Sequence, residues 1–422
     1  MSVILTIKEA PHQSSSQKKG RSVWWRLHQL AGLQFSLFLS FVFVTGTFAV
    51  MSHEIDWLLH PAMWTSPTVE SERVSWGTAL NTVLDAYPEV TTFSINAPIH
   101  SAAPFDVVVA DSEGRKHVYV SPNTGKVTGE GPWFNVQRFL RDAHRRIMIF
   151  ETYKGVRIGI LLVCLTSVYL LVSLITSFWV YKKWWRGFFR FPRGKNMRVF
   201  IGDLHRWIGI WTLWFIAVMS YTGIWYLQAE LLPYGPYPSQ QHTEGDLSGA
   251  NSSALSMGDA LDLAIVNSGA VHSEFRIKNV YIEDPESSTP VFRIHGETDK
   301  ALLVDPRGNA VWASAQTGVL LASRDASTFN GVDRLYIANN PLHFGTFGGY
   351  TTKWLYFIFG LLLSGLSVSG VLIYVSRLAI QEKISGGTKY FLKNSWRSMG
   401  YARWPALALT VFSFIAFPLL IV

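Results

Sequence analysis

Residues 202–211 read GDLHRWIGIW, and residues 24–33 read WWRLHQLAGL. In both, a histidine stands four positions ahead of a glycine at the entrance to a long apolar run. His28 and His205 lie 177 positions apart, and the same offset carries Gly32 to Gly209 and Thr45-Gly46 to Thr222-Gly223. The chain therefore repeats itself. An ionisable ring kept at the mouth of two apolar segments needs a chemical reason, because such groups are costly in a membrane.

Of the 422 residues, 49% are apolar, 14% aromatic and only 16% charged. That balance fits a membrane protein with some water-exposed mass. Five runs contain no Asp, Glu, Lys or Arg: 30–51, 158–181, 207–227, 354–375 and 404–422. Each approaches the ~20 residues a helix needs to cross a bilayer core, and none alternates as a barrel strand would. The expected fold class is an α-helical membrane bundle of about five transmembrane helices. The first run is too long for the apolar region of a signal peptide. The single cysteine, Cys164, lies inside the second run, so the soluble parts fold without an intramolecular disulfide.

Charge orients the bundle. Segments 1–29, 182–206 and 376–403 hold 5, 8 and 6 Lys+Arg against one acid each, Glu9, Asp203 and Glu382, a net +16. Segments 52–157 and 228–353 hold 18 basic and 26 acidic residues, a net −8. Basic residues in short loops mark the cytoplasmic side. The expectation is a multi-pass protein of a bacterial inner membrane, with the N-terminus cytoplasmic and the two long loops periplasmic. The basic patches then face anionic lipid of the bilayer, and nucleic acid is not an expected partner.

Further offsets support the repeat. His144 to His343 and Lys154 to Lys353 are both 199 positions, and VYVSPNTGKV (118–127) matches LLVDPRGNAV (302–311) at 184. The plan is helix, loop module, helix, twice over, followed by a fifth helix. Each loop reads as a small α+β module. In the first, 75–87 has a helical apolar face with Ser75 as N-cap, and strands are expected at 91–97, 105–111, 116–120 and from Lys126. In the second, 256–267 is helical, with strands near 277–283, 290–296 and 301–305.

There are twelve histidines. His12, His100, His117, His242, His272 and His295 share no pattern and read as surface or structural. Four stand at membrane-helix ends in repeat-related pairs: His28 with His205 on the cytoplasmic side, His144 with His343 on the outer side. The plainest reading is four interfacial rings without a role. Two pairs, one per face and kept in both repeats, favour ligands instead. Neutral imidazole binds iron well, and two histidines from different helices can occupy both axial positions of haem. Arg26, Arg206, Arg145 and Arg146 flank them and match propionate carboxylates. Gly32, Gly46, Gly209, Gly223, Gly360, Gly365 and Gly370 would admit a flat macrocycle or simply pack helices closely. Zinc fits poorly, since it takes three or four protein ligands. No catalytic triad, P-loop or dinucleotide fingerprint is present. On the outer side His53 and His60 lie just beyond helix 1. His28 and His53 share a face if that helix runs straight, so His53 competes with His144. The run HRRIMIFETYK (144–154) has no glycine to fold His144 back, unlike HFGTFGGY (343–350).

At LHQLAGL, AHRRI, DLHRWIGIW, YTGIW and PLHFGTFGG the chain strongly resembles the PepSY-associated transmembrane family. These are iron-regulated membrane proteins that include ferric-siderophore reductases. The likeness runs to about residue 380. It implies two periplasmic PepSY-like modules, haem b in the helices (two expected), and His28, His205, His144 and His343 as ligands. It also implies reduction of a ferric siderophore or other Fe(III) chelate outside, with electrons from a cytoplasmic or quinol donor. The expected organisation is an N-terminal segment 1–29, spans at the five runs, modules in 52–157 and 228–353, and cytoplasmic loops 182–206 and 376–403. The competing function is a non-redox membrane module whose PepSY-like domains bind a peptide or protease.

Overall fold

The computed structural model describes residues 22–194, 196–232, 241–242, 255–299, 303–382 and 387–419. Most of the expected N-terminal segment, His12 included, lies outside these residues, as do 301–302 of the expected 301–305 strand and the last three residues of the fifth run.

The chain opens with α1 (Val23–Leu33), α2 (Ser36–Val50) and α3 (Ser52–Leu59), followed by α4 (Trp76–Ala86). Strands β1 (Thr91–Asn96), β2 (Phe105–Asp111), β3 (Gly114–Val120) and β4 (Val127–Pro132) follow, then α5 (Val136–Arg146). A small hairpin of β5 (Thr152–Tyr153) and β6 (Val156–Arg157) leads into α6 (Ile158–Cys164) and α7 (Thr166–Val180). The second copy has α8 (Met197–Trp211), α9 (Leu213–Leu231), β7 (Gln241–His242) and α10 (Met257–Val271). It continues with β8 (Arg276–Glu283), β9 (Val291–Glu297), β10 (Asn309–Ser314), β11 (Leu320–Arg324), α11 (Gly331–Phe344) and α12 (Gly349–Gln381). Helices α13 (Thr388–Ser398) and α14 (Arg403–Leu419) close the chain.

Among the described residues, two elements are long and apolar enough to cross a membrane: Ile158–Val180, formed by α6 and α7, and α12. Two more candidates are bent pairs, α1 with α2 and α8 with α9, each turned by 63°. Spans expected at 30–51 and 207–227 therefore begin earlier, at Val23 and Met197, and are broken. The breaks fall at Phe35 (φ −110°, ψ 23°) and Thr212 (φ −90°, ψ 0°), which are again 177 positions apart. At the second, the Thr212 hydroxyl donates back to the Ile208 carbonyl at 2.8 Å, a bond that bends helices. The bend is part of the repeated unit, and it removes the straight helix that would have put His28 and His53 on one face. α14, the expected fifth span, has 17 residues and packs on α2.

The two modules are not separate. All eight strands β1–β4 and β8–β11, with β7 at the edge, form one antiparallel sheet in the order β4-β3-β2-β1-β8-β9-β10-β11-β7. The modules meet where Ser94, Ile95 and Asn96 pair with Tyr281, Val280 and Asn279. Helices α4 and α10 lie side by side over one face of this sheet. Their Leu80, Val83, Leu261 and Ala264 bury against Ile95, Val107, Val118, Val280, Phe292, Ile294 and Val311 in a single core. The helix contact is reciprocal. Asp262 Oδ1 accepts from the Gly77 N–H at 2.7 Å, and Asn81 Oδ1 accepts from the Gly258 N–H at 3.0 Å. Residues 77 and 258, and 81 and 262, are both 181 apart, so a local two-fold relates the modules. A Cβ on Gly77 would lie 2.1 Å from the Gly258 carbonyl oxygen, so only glycine permits this approach.

The expected strand at 301–305 is absent over its described part; DPRGN instead holds a short 3-10 turn, Pro306–Gly308. The true counterpart of VYVSPNTGKV is VWASAQTGVL (311–320), at an offset of 193. Gly125 (φ 67°) and Gly318 (φ 68°) occupy the same left-handed position in the two hairpins, which a residue with Cβ adopts only with strain.

Candidate histidine sites

The bends set the histidines facing the bundle interior. His28, on α1, and His205, on α8, line one cavity of about 480 Å³ formed between α1, α2, α7, α8, α9 and α12. That volume lies within the range of small-molecule and cofactor sites, and its walls are mainly apolar: Leu39, Phe43, Leu170, Ile210, Leu363 and Leu366 among them. His28 Nδ1 bonds Thr176 Oγ1 at 3.0 Å and His205 Nδ1 bonds Ser369 Oγ at 2.8 Å. The partners, on α7 and α12, are 193 apart, the same offset as the module hairpins.

His144 and His343 meet at the other end of the bundle, on the module side. Their ring centroids are 6.1 Å apart with planes 25° from parallel. Two imidazoles that share one metal at ~2 Å bonds have centroids roughly 6 Å apart. His144 Nδ1 donates to the Val42 carbonyl at 2.9 Å, and His343 Nδ1 bonds Thr222 Oγ1 at 2.9 Å. The edge of Tyr226 packs on His343, centroid to centroid 5.2 Å, and its hydroxyl donates to Asn340 at 2.5 Å.

All four rings thus share one pattern. Nδ1 is anchored, and among the described residues Nε2 has no hydrogen-bond partner in any of the four. A carbonyl can only accept, and the Thr176, Ser369 and Thr222 hydroxyls already donate to the Val172, Leu366 and Val218 carbonyls at 2.6, 3.1 and 2.8 Å. Nδ1 therefore carries the proton in all four rings, and Nε2 is left as the free ligand atom, as metal-bound histidines require. Among the described residues no group of three or more His, Cys, Asp or Glu converges as a metal cage.

His144 reaches this position by a turn that the sequence did not advertise. After α5 the chain enters the left-handed region at Ile147 (φ 47°) and Met148 (φ 57°), and again at Lys154 (φ 48°). Non-glycine residues adopt this region at a cost of about 1 kcal/mol or more each. Ile147 and Met148 are buried against α2 and α14, which offsets that cost. α11 makes the equivalent stop conventionally, with Gly345 at φ 66° as its left-handed cap. His53 is not paired with His343. It lies on α3 with its side chain exposed, Nε2 3.5 Å from the amide nitrogen of Gln137. Its repeat partner Glu230 is buried, and its Oε2 accepts from Arg157 Nη2 and Nε at 2.6 and 3.0 Å.

The glycines divide by role. A Cβ on Gly46 would sit 2.6 Å from His144 Cε1, one on Gly223 2.6 Å from Ser167, and one on Gly360 2.6 Å from Thr47. Those three serve close packing. Gly32, Gly209 and Gly370 line the cavity of His28 and His205, and nothing lies within 3.6 Å of a Cβ placed on any of them, Gly370 coming nearest at 3.7 Å from His205 Cε1.

The flanking arginines are more dispersed than expected. Arg206 lines the cavity but pairs with Asp203. Arg26 lines a neighbouring cavity instead, beside Gln29, Gln34 and Ser398. Arg146 is engaged by Asp142 at 3.2 Å, whereas Arg145 has no ion pair among the described residues. Arg377, assigned from sequence only to a basic loop, lines the His28/His205 cavity with its guanidinium 5.2 Å from the Trp25 ring. The anchors Thr176, Ser369 and Thr222 were also missed as site residues. The signal existed for the first two, in the 193-residue offset.

Bent repeat helices bearing paired histidines beneath a fused α+β module define a duplicated membrane protein. The family model of the PepSY-associated TM region matches residues 25–377, and the chain belongs to that family. No curated protein matches the chain.

Proposed function

We propose that the protein is a dihaem electron-transfer protein of a bacterial inner membrane that reduces a ferric chelate, such as a ferric siderophore, in the periplasm. The observation that carries this reading is the shared state of the four histidines: Nδ1 anchored, Nε2 free, one ring from each repeat in each pair. His28 and His205 would hold one haem b, and His144 and His343 the other. When bound, haem supplies one-electron redox chemistry. A haem held by one histidine from each repeat would suit electron transfer rather than oxygen binding.

In this reading Thr176, Ser369, Thr222 and the Val42 carbonyl hold the rings in orientation. The apolar cavity walls exclude water, and Arg206 and Arg377 suit carboxylates at the far pair. With α14 taken as a fifth span, the +16 against −8 charge asymmetry supports a periplasmic side for the module. Electrons from a cytoplasmic reductase or a membrane quinol would then be received on the His28/His205 side and passed outward on the His144/His343 side. One electron converts chelated Fe(III) to Fe(II), which hard oxygen donors hold less firmly. The test is haem per chain by pyridine haemochrome against protein mass, with the reduced spectrum. Two haems per chain are expected. Colourless protein from haem-replete cells refutes the proposal.

A further inference from the structure

On the module side, α5 carries more than His144. Its sequence, VQRFLRDAHRR, places Arg138, Arg141 and Arg145 along one stripe at helical spacing. Arg138 lies with its guanidinium carbon 3.5 Å from the centroid of the Trp133 ring and donates through Nε to the Trp133 carbonyl at 3.1 Å. From β3, Arg115 reaches the same place, 5.5 Å from the Trp133 centroid and 4.6 Å from that of Phe93. Arg115 and Arg141 are exposed, and neither makes a hydrogen bond or ion pair among the described residues. The nearby acids are engaged: Asp142 by Arg146 at 3.2 Å, and Asp111 and Glu130 by Lys116 at 3.2 and 3.1 Å.

This cluster is a local inversion of charge. The two module segments carry a net −8, yet here guanidinium groups gather with their neighbouring carboxylates already paired. Aromatic faces hold two of the guanidinium planes, so their N–H edges stay available for the paired oxygens of an anion. Arg138 and Arg141 stand about 9 Å and 4.5 Å along the helix from His144.

We propose that Arg115, Arg138 and Arg141 form the docking site for a polyanionic ferric chelate, one presenting free carboxylate or catecholate oxygens, and hold it beside the His144/His343 pair. This rests on the ferric-chelate reading above and narrows it to a substrate class. A neutral ferric hydroxamate gains nothing from the cluster. Anionic lipid headgroups share the chemistry of phosphate and carboxylate, but the pairing of the cluster with the module strands Phe93 and Arg115 favours a soluble ligand.

The experiment uses the full-length protein in nanodiscs of neutral lipid, titrated calorimetrically with two gallium(III) chelates, which bind as ferric chelates do but accept no electron. One is an anionic tris-catecholate and the other a neutral trihydroxamate. Wild type should bind the anionic chelate more tightly. Arg115→Gln with Arg141→Gln should weaken that binding by about tenfold or more, leave the neutral chelate unaffected and leave the visible spectrum unchanged. With the ferric forms, KM for the anionic chelate should rise while kcat holds. Equal wild-type affinity for the two chelates overturns the proposal, as does unaltered binding in the double variant. So does loss confined to binding of anionic lipid added to the discs. Because gallium binding needs no haem, its failure is separable from failure of the redox reading, which haem content decides.

Discussion

Gly32→Ala and Gly46→Ala are the same chemical change at two glycines of α1 and α2, and the structure assigns them opposite consequences. At Gly46 the new methyl would stand 2.6 Å from His144 Cε1 and 2.7 Å from Nδ1 where ordinary contact begins at 3.4 Å, so the ring would have to retreat by about 0.8 Å. It has little freedom to do so. Nδ1 is fixed to the Val42 carbonyl at 2.9 Å on the same helix as Gly46, and the chain beyond is locked by the buried Ile147 and Met148. Overpacking of this kind costs about 1–3 kcal/mol, and that strain, drawn from ligand binding, is roughly a 5- to 150-fold loss in affinity. Gly46→Ala should therefore give protein with one haem in place of two, the remaining spectrum being that of the His28/His205 site. At Gly32 nothing lies within 4 Å of the methyl, so thermal stability should be unchanged, and any loss of haem should fall on the far site alone. Haem content and low-temperature spectra of purified variants read both outcomes. Gly46→Ala with two haems and an unaltered spectrum would refute the assignment of His144 as a ligand.

His28→Ala or His205→Ala should each remove about half the haem and spare the other site, as measured by pyridine haemochrome; full content in both variants would dissolve that pair. His343→Ala should slow reoxidation of the dithionite-reduced protein by an added ferric chelate in stopped-flow, whereas His53→Ala should change it little. A reporter fused after Gly194 should be cytoplasmic and one inserted near Gly249 periplasmic, and labelling of the opposite sense would reverse the whole orientation. Burial, reinforced by Arg293 and Arg324, lowers the pKa of His295 to about 3, so its neutral form is favoured in the folded module. That contribution is complete above the unfolded value of ~6.5 and is lost as pH falls below it, by about 2 kcal/mol at pH 5. Hydrogen exchange in β9 should show this, and His295→Leu should flatten the response.

The membrane class and the repeat were legible because both rest on spacing. Charge-free runs and equal offsets survive without knowledge of tertiary contacts, and the histidine pairs follow from them. What was not legible is instructive in physical terms. The break at Phe35 has no proline or glycine to announce it; it is visible only through its repeat mate Thr212, whose hydroxyl competes for a backbone carbonyl. The fold-back that delivers His144 uses Ile147 and Met148 in a left-handed conformation, which propensity disfavours and tertiary burial overrides. The sequence match at 184 rests on DPRGN, which reads as a turn, whereas the conformation that matters is the positive φ of Gly125 and Gly318. Sheet fusion through β1 and β8 leaves no mark in either strand, since an edge strand and a central one can share the same alternation.

The repeat also explains why neither half could make a site alone. Each inner histidine is anchored within its own repeat, His28 by Thr176 and His205 by Ser369, and each outer one likewise, His144 on α2 and His343 on α9. The pairing, by contrast, is always between repeats: His28 and His205 share one cavity, and His144 and His343 stack at 6.1 Å. Orientation is therefore set locally and proximity is set by how the halves dock. The docking is fixed outside the bundle as well, where β1 pairs with β8 and Gly77 meets Gly258. A residue larger than glycine at 77 would push the two module halves apart, and the shift would pass through α3 and α5 to the His144/His343 spacing before it reached His28 and His205. Gly77→Ala should accordingly disturb the module-side pair first. Loss of the far site alone in that variant would show that the fused sheet does not govern how the two halves meet.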